Sequence, residues 1–481
     1  MAFKKKLYKF RPDVPIATID TYATKNLRRP RPCDPAAIEA GVRQTLADRL
    51  SGNLVGLWLL VPEHLRLGTW DLLCGWTGRP GVCVEPRLAL QLVHEAALCL
   101  TGIRDCRSLR QRGFELANGL PFLASDVAVH LLFNSHSVAD AHKLQIALGK
   151  LRRASNHFQR RVLVIDPHRL RSYSKRQMRR HKKDAKARAV NMAQTFFALD
   201  ADTCQPVAFL TGTSARTVAQ ATPELLQTAA EILALDDLPS GAPSEQRTLV
   251  LADAEHFSAA LLERIRQDTR FELLVPMPMT AYVKRQLQAI PAEQFTPHWA
   301  GYATVQLPYH FTHAQHGPLY QFVQRLGERP DEYQFNAFLS TRAGDLVHAL
   351  TAEYPKRWHV EEFFNLDQDL GWNRAGTLNL HIRIGHMTMS LIAQTVVHQL
   401  RQRLGEPASA WNCQGLADKL FTGLEGDVRV NEDTIVVTYY NAPNADRLQA
   451  AYAGLPARLA AENIDPRIPW LYDFKLDFRF R

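Results

Sequence analysis

The pattern of apolar and polar residues changes several times along the chain and divides it into regions of different predicted structure. From about residue 34 to residue 153, apolar residues recur at helical spacing, with Pro35 opening the first helix. Short β-branched apolar runs then predict a strand at 162–165 and two strands joined by a turn at 202–206. A helix, a strand ending at Asp253, a second helix and a strand ending at Pro276 follow. This order predicts an α/β fold with a ribonuclease H-like mixed sheet flanked by helices and preceded by an all-α N-terminal domain.

The second half of the chain has a different pattern. Residues 277–340 are rich in Pro, Tyr and His with alternating apolar segments, which predicts a β-rich insertion. Pro355 favours the first turn of a helix that continues to Gly371, and a long helix follows near residue 380. The predicted regions are a helical DNA-binding domain at 1–153, the first part of the core at 154–276, the insertion at 277–340, the second part of the core at 341–405 and an α+β region at 406–481.

Charge points to a polyanionic partner. The net charge is +10, although a solvated basic surface would have the same composition. Of the 39 residues in 150–188, 15 are Lys or Arg, and this many like charges repel one another unless a partner neutralises them. The residues predicted to contact DNA in this stretch are Lys175, Arg176, Arg179 and Arg180.

The same composition predicts a cytoplasmic protein that does not enter a membrane. The basic start of the chain lacks the apolar segment of a signal peptide, and the longest apolar run, at 54–61, is too short to span a bilayer. The seven cysteines are scattered without a C-x-x-C pair, which is typical of reduced thiols.

Three carboxylates occur where phosphodiester chemistry would need them. Asp166 follows the first predicted strand, Asp253 follows the fourth, and Glu361 closes a Y-x2-R-x3-E pattern with Tyr354 and Arg357. Asp and Glu oxygens are the ligands that hard divalent cations prefer. The alternative is an ordinary i, i+4 salt bridge between Arg357 and Glu361, with the two Asp residues in turns or caps.

On these residues the chain resembles a bacterial insertion-sequence transposase of the DDE type. The motifs that carry the resemblance are IDPH at Asp166, LVLAD at Asp253 and YPKRWHVE at Tyr354, Arg357 and Glu361. It implies that the three acids bind two Mg²⁺ or Mn²⁺ ions, and that Tyr354 and Arg357 contact a phosphate. It also implies double-stranded DNA as partner (terminal inverted repeats and target DNA), a homodimer in the synaptic complex, and a nucleoid location.

One residue departs from the motif of this family, and another makes the identity of the third metal ligand ambiguous. Gln368 stands where the family often has a Lys seven residues after the Glu, which puts one DNA contact in doubt. Glu362 neighbours Glu361 and is an alternative third ligand, but the spacing favours Glu361, and Glu362 lies about 100° further round the helix.

Several alternatives stay open on sequence alone. A Gly/Pro turn between helices around 107–133 fits a helix-turn-helix or a plain helical hairpin. His310, His313 and His316 could indicate zinc, but no Cys or carboxylate stands at ligand spacing. The whole chain could also be a nuclease that only hydrolyses DNA, or an inactive DNA-binding regulator derived from a transposase.

Overall fold

A large mixed β-sheet lies at the centre of the molecule, with helices packed on it. The computed structural model describes residues 34–481 except for residues 49, 53, 101–111, 173–179, 182–187, 213–215, 236–246, 269, 312–318 and 374–378. The described helices are α1 Pro35–Ala47, α2 Val61–Leu67, α3 Thr69–Thr77, α4 Val84–Ala97, α5 Arg112–Ala117, α6 Asp126–Asn134, α7 Val138–Ala154, α8 Val218–Leu233, α9 Ala259–Gln267, α10 Ala281–Gln288, α11 Leu346–His348, α12 His359–Asp367, α13 Leu380–Leu404, α14 Cys413–Leu416, α15 Ala445–Tyr452 and α16 Leu455–Ala461.

The strands belong to two sheets. The described strands are β1 Leu50–Gly52, β2 Val162–Arg171, β3 Arg180–His181, β4 Val190–Asp200, β5 Gln205–Gly212, β6 Thr248–Leu251, β7 Phe271–Pro276, β8 Thr296–Trp299, β9 Tyr302–Tyr309, β10 Leu319–Leu326, β11 Gln334–Ser340, β12 Gly426–Asn431, β13 Thr434–Tyr439 and β14 Lys475–Phe480. The larger sheet has the order β3-β4-β2-β6-β7-β11-β10-β9-β8, with β5 also paired to β4, and the smaller has the order β1-β12-β13-β14.

The larger sheet has the ribonuclease H-like strand arrangement that the sequence predicts. Strands β2, β4 and β5 pair antiparallel, whereas β6 lies parallel to β2, and β7 lies parallel to β6. Helices α8 and α9 make the connections to β6 and β7. Residues 162–165 and 248–251 are buried throughout, because central parallel strands are covered on both faces. The predicted fold class is confirmed, including the helical N-terminal region.

The first core strand is longer than predicted. We expect from the sequence that this strand ends at Asp166, because its apolar run ends there, but β2 continues to Arg171. Its antiparallel pairing with β4 extends to Arg171 opposite Met192, since backbone hydrogen bonding does not require apolar side chains. The parallel pairing with β6 stops at Val164 opposite Leu251. Asp166 therefore lies just beyond the point where β2 and β6 separate.

The strands predicted as an insertion extend the core sheet. Strand β11 pairs antiparallel with β7, with Leu339 opposite Val275, and β10, β9 and β8 follow in turn. Strands β8, β9, β10 and β11 are thus continuous with the rest of the larger sheet through backbone hydrogen bonds.

The N-terminal helical region packs against the C-terminal region. Strand β1 pairs antiparallel with β12, which adds a short strand to the predicted all-helical region. Tyr439 Oη donates to the Val55 carbonyl at 2.9 Å, and Trp470 Nε1 donates to the Ala117 carbonyl at 3.0 Å. The two regions share one hydrophobic core.

Helix α13 joins this helical unit to the sheet. Most of its residues are buried, and it packs on α4 and α7. On its other side, Arg383 Nη2 donates to the Gln194 carbonyl and to Thr195 Oγ1 of β4, both at 2.7 Å. Helices α1 to α7 are therefore a structural part of the molecule, and removing them would expose its core. Among the described helices, none is both long enough and apolar enough to cross a membrane.

A chain of buried polar side chains runs through the helical region. His94 Nδ1 lies 2.7 Å from Asn118 Oδ1, and Asn118 Nδ2 donates to the Phe114 carbonyl at 2.6 Å, which fixes the amide orientation. His94 therefore donates from Nδ1, and its Nε2 accepts from His64 Nε2 at 3.1 Å. His64 Nδ1 lies 2.6 Å from Thr69 Oγ1, which also donates to the His64 carbonyl at 3.3 Å. Burial lowers the pKa of both histidines and so favours neutral rings.

Candidate active site at the ends of two parallel strands

Two aspartates lie where the parallel pairing of β2 and β6 stops: Asp166 within β2 and Asp253 after β6. Asp253 comes two residues after β6 and caps the 3-10 turn Ala254–His256. Its Oδ1 accepts from the backbone N–H of Glu255 at 3.0 Å and lies 2.8 Å from His256 Nδ1. A side chain in this position is held at the carboxyl end of a parallel strand, where α/β folds usually bind ligands.

The electrostatics show that Asp166 and Asp253 share one environment. Burial and, to a smaller extent, the neighbouring Asp253 raise the pKa of Asp166 to about 6, while His256 and Arg357 oppose the rise. Burial also acts to raise the pKa of Asp253, but the hydrogen bond from His256 and the charge of Arg357 hold that pKa below its usual value. Two acids whose environments move their pKa values apart are typical of functional sites.

A helical segment crosses this site, and it begins earlier than the sequence predicts. The prediction of a helix start at Pro355 is wrong, because helical backbone begins at Leu346 and continues to Asp367. Pro355 lies where a π turn, Ala349–Glu353, gives way to a 3-10 turn, Tyr354–Trp358. The missing N–H of Pro355 therefore changes the type of helical turn and does not start the helix.

Arg357 connects this segment to the three acids. Its Nη2 donates to Glu361 Oε1 at 3.2 Å, and its charge also lowers the pKa values of Asp166 and Asp253. The Arg357 side chain is 16% exposed and that of Glu361 is 50% exposed. The structure thus places Arg357 within electrostatic range of Asp166 and Asp253 and in direct contact with Glu361.

Tyr354 lies against the same strand end. Its Oη donates to the Ala252 carbonyl at 3.4 Å, next to Asp253. Burial raises the pKa of Tyr354 to about 12, with Arg357 acting in the opposite direction and Asp253 in the same direction. Tyr354 is therefore a neutral hydroxyl at the edge of the carboxylate site.

The buried face of α12 determines which way Glu361 points. Val360, Phe363 and Phe364 are buried, and the Phe364 ring stacks on His168 of β2 with centroids 3.8 Å apart. Glu361 is thereby placed beside Arg357, whereas Glu362 lies near His359, with His359 Nε2 4.0 Å from Glu362 Oε2. The two neighbouring glutamates have different surroundings, which favours Glu361 as the third acid of the site.

Three residues of the site are absent from the sequence prediction. His256 contacts Asp253 directly. Arg169 forms a bidentate ion pair with Glu255, in which Nη1 donates to Oε1 at 2.7 Å and Nη2 donates to Oε2 at 2.5 Å. His256 stands three residues after Asp253, which is a spacing that could have been recognised. The Arg169–Glu255 pair joins residues far apart in sequence and has no local signal.

Of the four predicted basic DNA contacts, the structure describes Arg180. Arg180 is exposed in β3, opposite Asn191 of β4. Lys175, Arg176 and Arg179 lie outside the described residues, as do His313 and His316. Gln368 follows the last turn of α12, with its N–H donating to the Phe364 carbonyl at 3.1 Å.

Comparison with known proteins supports the DDE resemblance. Residues 157–396, close to half of the chain, match a protein-family model described as "Transposase DDE domain". The matched segment contains Asp166, Asp253 and Glu361, and it supports a DDE transposase. No curated protein matches the chain.

Solved structures also match the chain. One of them is a cryo-EM structure of the piggyBac transposase synaptic complex with hairpin DNA, at 12% sequence identity and a TM-score of 0.37. The similarity covers 78% of this chain and 82% of that chain.

Proposed function

We propose that the protein is a transposase that cleaves DNA at the ends of a mobile element and transfers the cut strands into target DNA. The observation that carries this proposal is the position of Arg357, which contacts Glu361 and acts electrostatically on both Asp166 and Asp253. All four residues lie within the segment that matches the transposase DDE domain.

The donor set fits divalent metal ions. Asp166 and Asp253 repel each other at the end of a buried strand pair, so a cation between them would relieve an existing electrostatic cost. We infer that Asp166, Asp253 and Glu361 would hold two Mg²⁺ or Mn²⁺ ions, since these ions prefer carboxylate oxygens. Bound there, such ions activate an attacking oxygen and stabilise the leaving oxygen of a phosphodiester.

The remaining site residues would position DNA. Arg357 has a planar fork of donors that suits a phosphate, and only 16% of its side chain is exposed, so its orientation is restricted. Tyr354 can donate a hydrogen bond to the same phosphate if its hydroxyl turns away from the Ala252 carbonyl, a long contact of 3.4 Å, because its raised pKa keeps the hydroxyl protonated. Asp253 is held by His256 and by the turn it caps, which fixes its carboxylate before DNA arrives.

The partner in this proposal is double-stranded DNA, both the terminal inverted repeats and the target. We propose that the helical region at 34–153 recognises the ends and that Lys175, Arg176, Arg179 and Arg180 add phosphate contacts. Two copies of the chain would hold two ends in the synaptic complex. The site of action would be the nucleoid in the cytoplasm of a bacterium.

Substitution of the acids tests the proposal. Asp166→Asn, Asp253→Asn and Glu361→Gln should each abolish strand cleavage of a DNA fragment carrying an element end, while leaving end binding largely intact. Glu231→Gln is a suitable control, because Glu231 is also a half-exposed helical glutamate in an ion pair, with Lys150 at 2.9 Å. Cleavage at the normal rate by Asp166→Asn, or in the presence of a chelator, would contradict the assignment.

The products distinguish the two enzymatic functions. A transposase joins the cut 3′ ends to a second DNA molecule, whereas a nuclease of the same fold releases them. Joined products that contain the element end are therefore the expected result, and hydrolysis alone would support the nuclease.

A further inference from the structure

A second group of potential metal-binding side chains includes two residues of the first turn of α12, separate from Arg357 and Glu361. One donor atom each from Cys204, His359 and Glu362 comes within 4.8 Å of the other two. Cys204 is the last residue of the turn between β4 and β5, and His359 and Glu362 lie in the first turn of α12. Cys204 and His359 are half-buried, and Glu362 is exposed.

The histidine ring has the orientation that metal ligands require. His359 Nδ1 lies 2.5 Å from the Ala201 carbonyl, and a carbonyl can only accept, so the ring proton is on Nδ1. The lone pair is then on Nε2, which is the nitrogen that faces Glu362 Oε2 at 4.0 Å. A hydrogen bond from the second ring nitrogen to a backbone carbonyl is the usual support of a metal-binding histidine.

A surface ion pair between His359 and Glu362 explains these contacts less well. The distance of 4.0 Å between His359 Nε2 and Glu362 Oε2 is too long for a hydrogen bond. A thiol as the third member of the group has no role in an ion pair.

The turn that carries Cys204 is held independently of this group. Asp200 Oδ1 accepts from the backbone N–H groups of Asp202 at 3.2 Å and Thr203 at 3.1 Å. The other oxygen of Asp200 accepts from the N–H groups of Gln159 and Arg160, both at 2.8 Å. The thiol and the imidazole are therefore presented by backbone whose position does not depend on a bound ion.

The turn is also attached to the helical segment. Lys356 Nζ lies 2.5 Å from Asp202 Oδ1, so the turn and the residues before α12 are already in contact. Ligands on two elements that are fixed relative to each other lose little entropy when an ion binds them.

We propose that Cys204, His359 and Glu362 form a binding site for one thiophilic divalent cation of the zinc type. Sulfur, nitrogen and oxygen donors suit zinc, whereas Mg²⁺ and Mn²⁺ prefer oxygen alone, so this site and the three acids select different ions. Tetrahedral zinc with bonds of about 2.0–2.3 Å places its ligand atoms roughly 3.5 Å apart, so a small side-chain movement closes the group around an ion. Three protein ligands leave a fourth position for water, and the thiol releases its proton to solvent on binding.

The position of the site gives it a structural use. A bound ion would cross-link the β4–β5 turn to the first turn of α12, which is the helix that carries Glu361. The site lies outside the proposed catalytic group, and its occupancy does not depend on the protein being a transposase.

Cobalt spectroscopy of the full-length protein tests the inference. Metal-free protein titrated with Co²⁺ in excess Mg²⁺ should develop one thiolate-to-cobalt charge-transfer band per chain, and Zn²⁺ should displace it. Cys204→Ser should remove the band and weaken Zn²⁺ binding by more than about 100-fold, since even outer-shell changes cost 10–100-fold. Glu362→Gln should weaken binding and keep the band.

Controls separate this result from misfolding and from other thiols. Cys83→Ser removes a half-buried thiol elsewhere and should leave the band unchanged. Thermal unfolding of each metal-free variant shows whether it folds. No thiolate band in the wild type, or an unchanged band in Cys204→Ser, would overturn the inference. DNA cleavage is not part of the readout, so failure of the proposed function would not affect it.

Discussion

Arg357 is the residue for which a structural and a catalytic role predict the most different outcomes. Its hydrogen bond to Glu361 is an i, i+4 contact of 3.2 Å with a half-exposed partner. Pairs of this kind contribute about 0.3–0.5 kcal/mol to stability. If that pair is its only role, Arg357→Lys should cost well under 1 kcal/mol in stability and little activity.

The catalytic role predicts a larger effect on rate than on stability. A phosphate held by the guanidinium fork loses its geometry when Lys, a point charge, replaces Arg. Arg357→Lys should then fold and bind metal normally but cleave or transfer strands at least about tenfold more slowly, equivalent to about 1.4 kcal/mol in the barrier. Arg357→Ala should be slower still, because it also removes the positive charge that opposes the repulsion between Asp166 and Asp253.

The assay is single-turnover cleavage of end-labelled DNA together with thermal unfolding. Arg216→Lys is the matched control, since Arg216 pairs with Glu224 at comparable side-chain exposures of 27% and 55%. Near-normal cleavage by Arg357→Lys would refute the phosphate role and remove the support for Tyr354. The assignment of the three acids would survive, because it rests on strand topology and metal chemistry.

Two further predictions concern DNA binding and acid stability. The first replaces four basic residues, Lys175, Arg176, Arg179 and Arg180, with alanine. This change should weaken binding to any DNA sequence and reduce the slope of log K against log salt concentration by about one for each lost phosphate contact. An unchanged slope would count against these contacts. Burial lowers the pKa of His94 to about 4, so the unfolded chain binds more protons between that value and the ordinary 6.5. The stabilisation that the neutral His94 provides is complete above pH 6.5 and should be lost as the pH falls toward 4. The expected decrease in the free energy of unfolding is roughly 2 kcal/mol between pH 7 and pH 5. Urea unfolding should show this loss. His94→Gln should reduce it, whereas His130→Gln, at an exposed position, should not. Equal losses in the two variants would refute this prediction.

The order of the core elements could be predicted from the sequence because buried parallel strands are short continuous apolar runs. The predicted end of the first core strand and the predicted start of the Pro355 helix were wrong for the same reason. At Asp166 and at Pro355 the side-chain pattern changes, but the backbone continues its hydrogen bonding with β4 in one case and through a different helical turn in the other. Local side-chain patterns report burial more directly than they report where backbone pairing ends.

The candidate site was only partly predictable for a different reason. Asp253 and Glu361 belong to recognisable local patterns, whereas Glu255 meets Arg169 only after the sheet has formed. Cys204 likewise reaches His359 from a turn 155 residues earlier in the chain. Contacts of this kind depend on strand order and register, which a single sequence does not display.

The location of divalent metal in crystals is the most direct test of the central claim. Crystals grown with Mn²⁺ should show anomalous scattering from ions bound by Asp166, Asp253 and Glu361, with two ions about 3.5–4 Å apart when DNA is present. The Asp166→Asn protein should lose these peaks under the same conditions. Mn²⁺ bound elsewhere in the wild type would contradict the account. So would a separation of more than about 12 Å between the carboxylates of the three acids, because they would then be too far apart to share such a pair of ions.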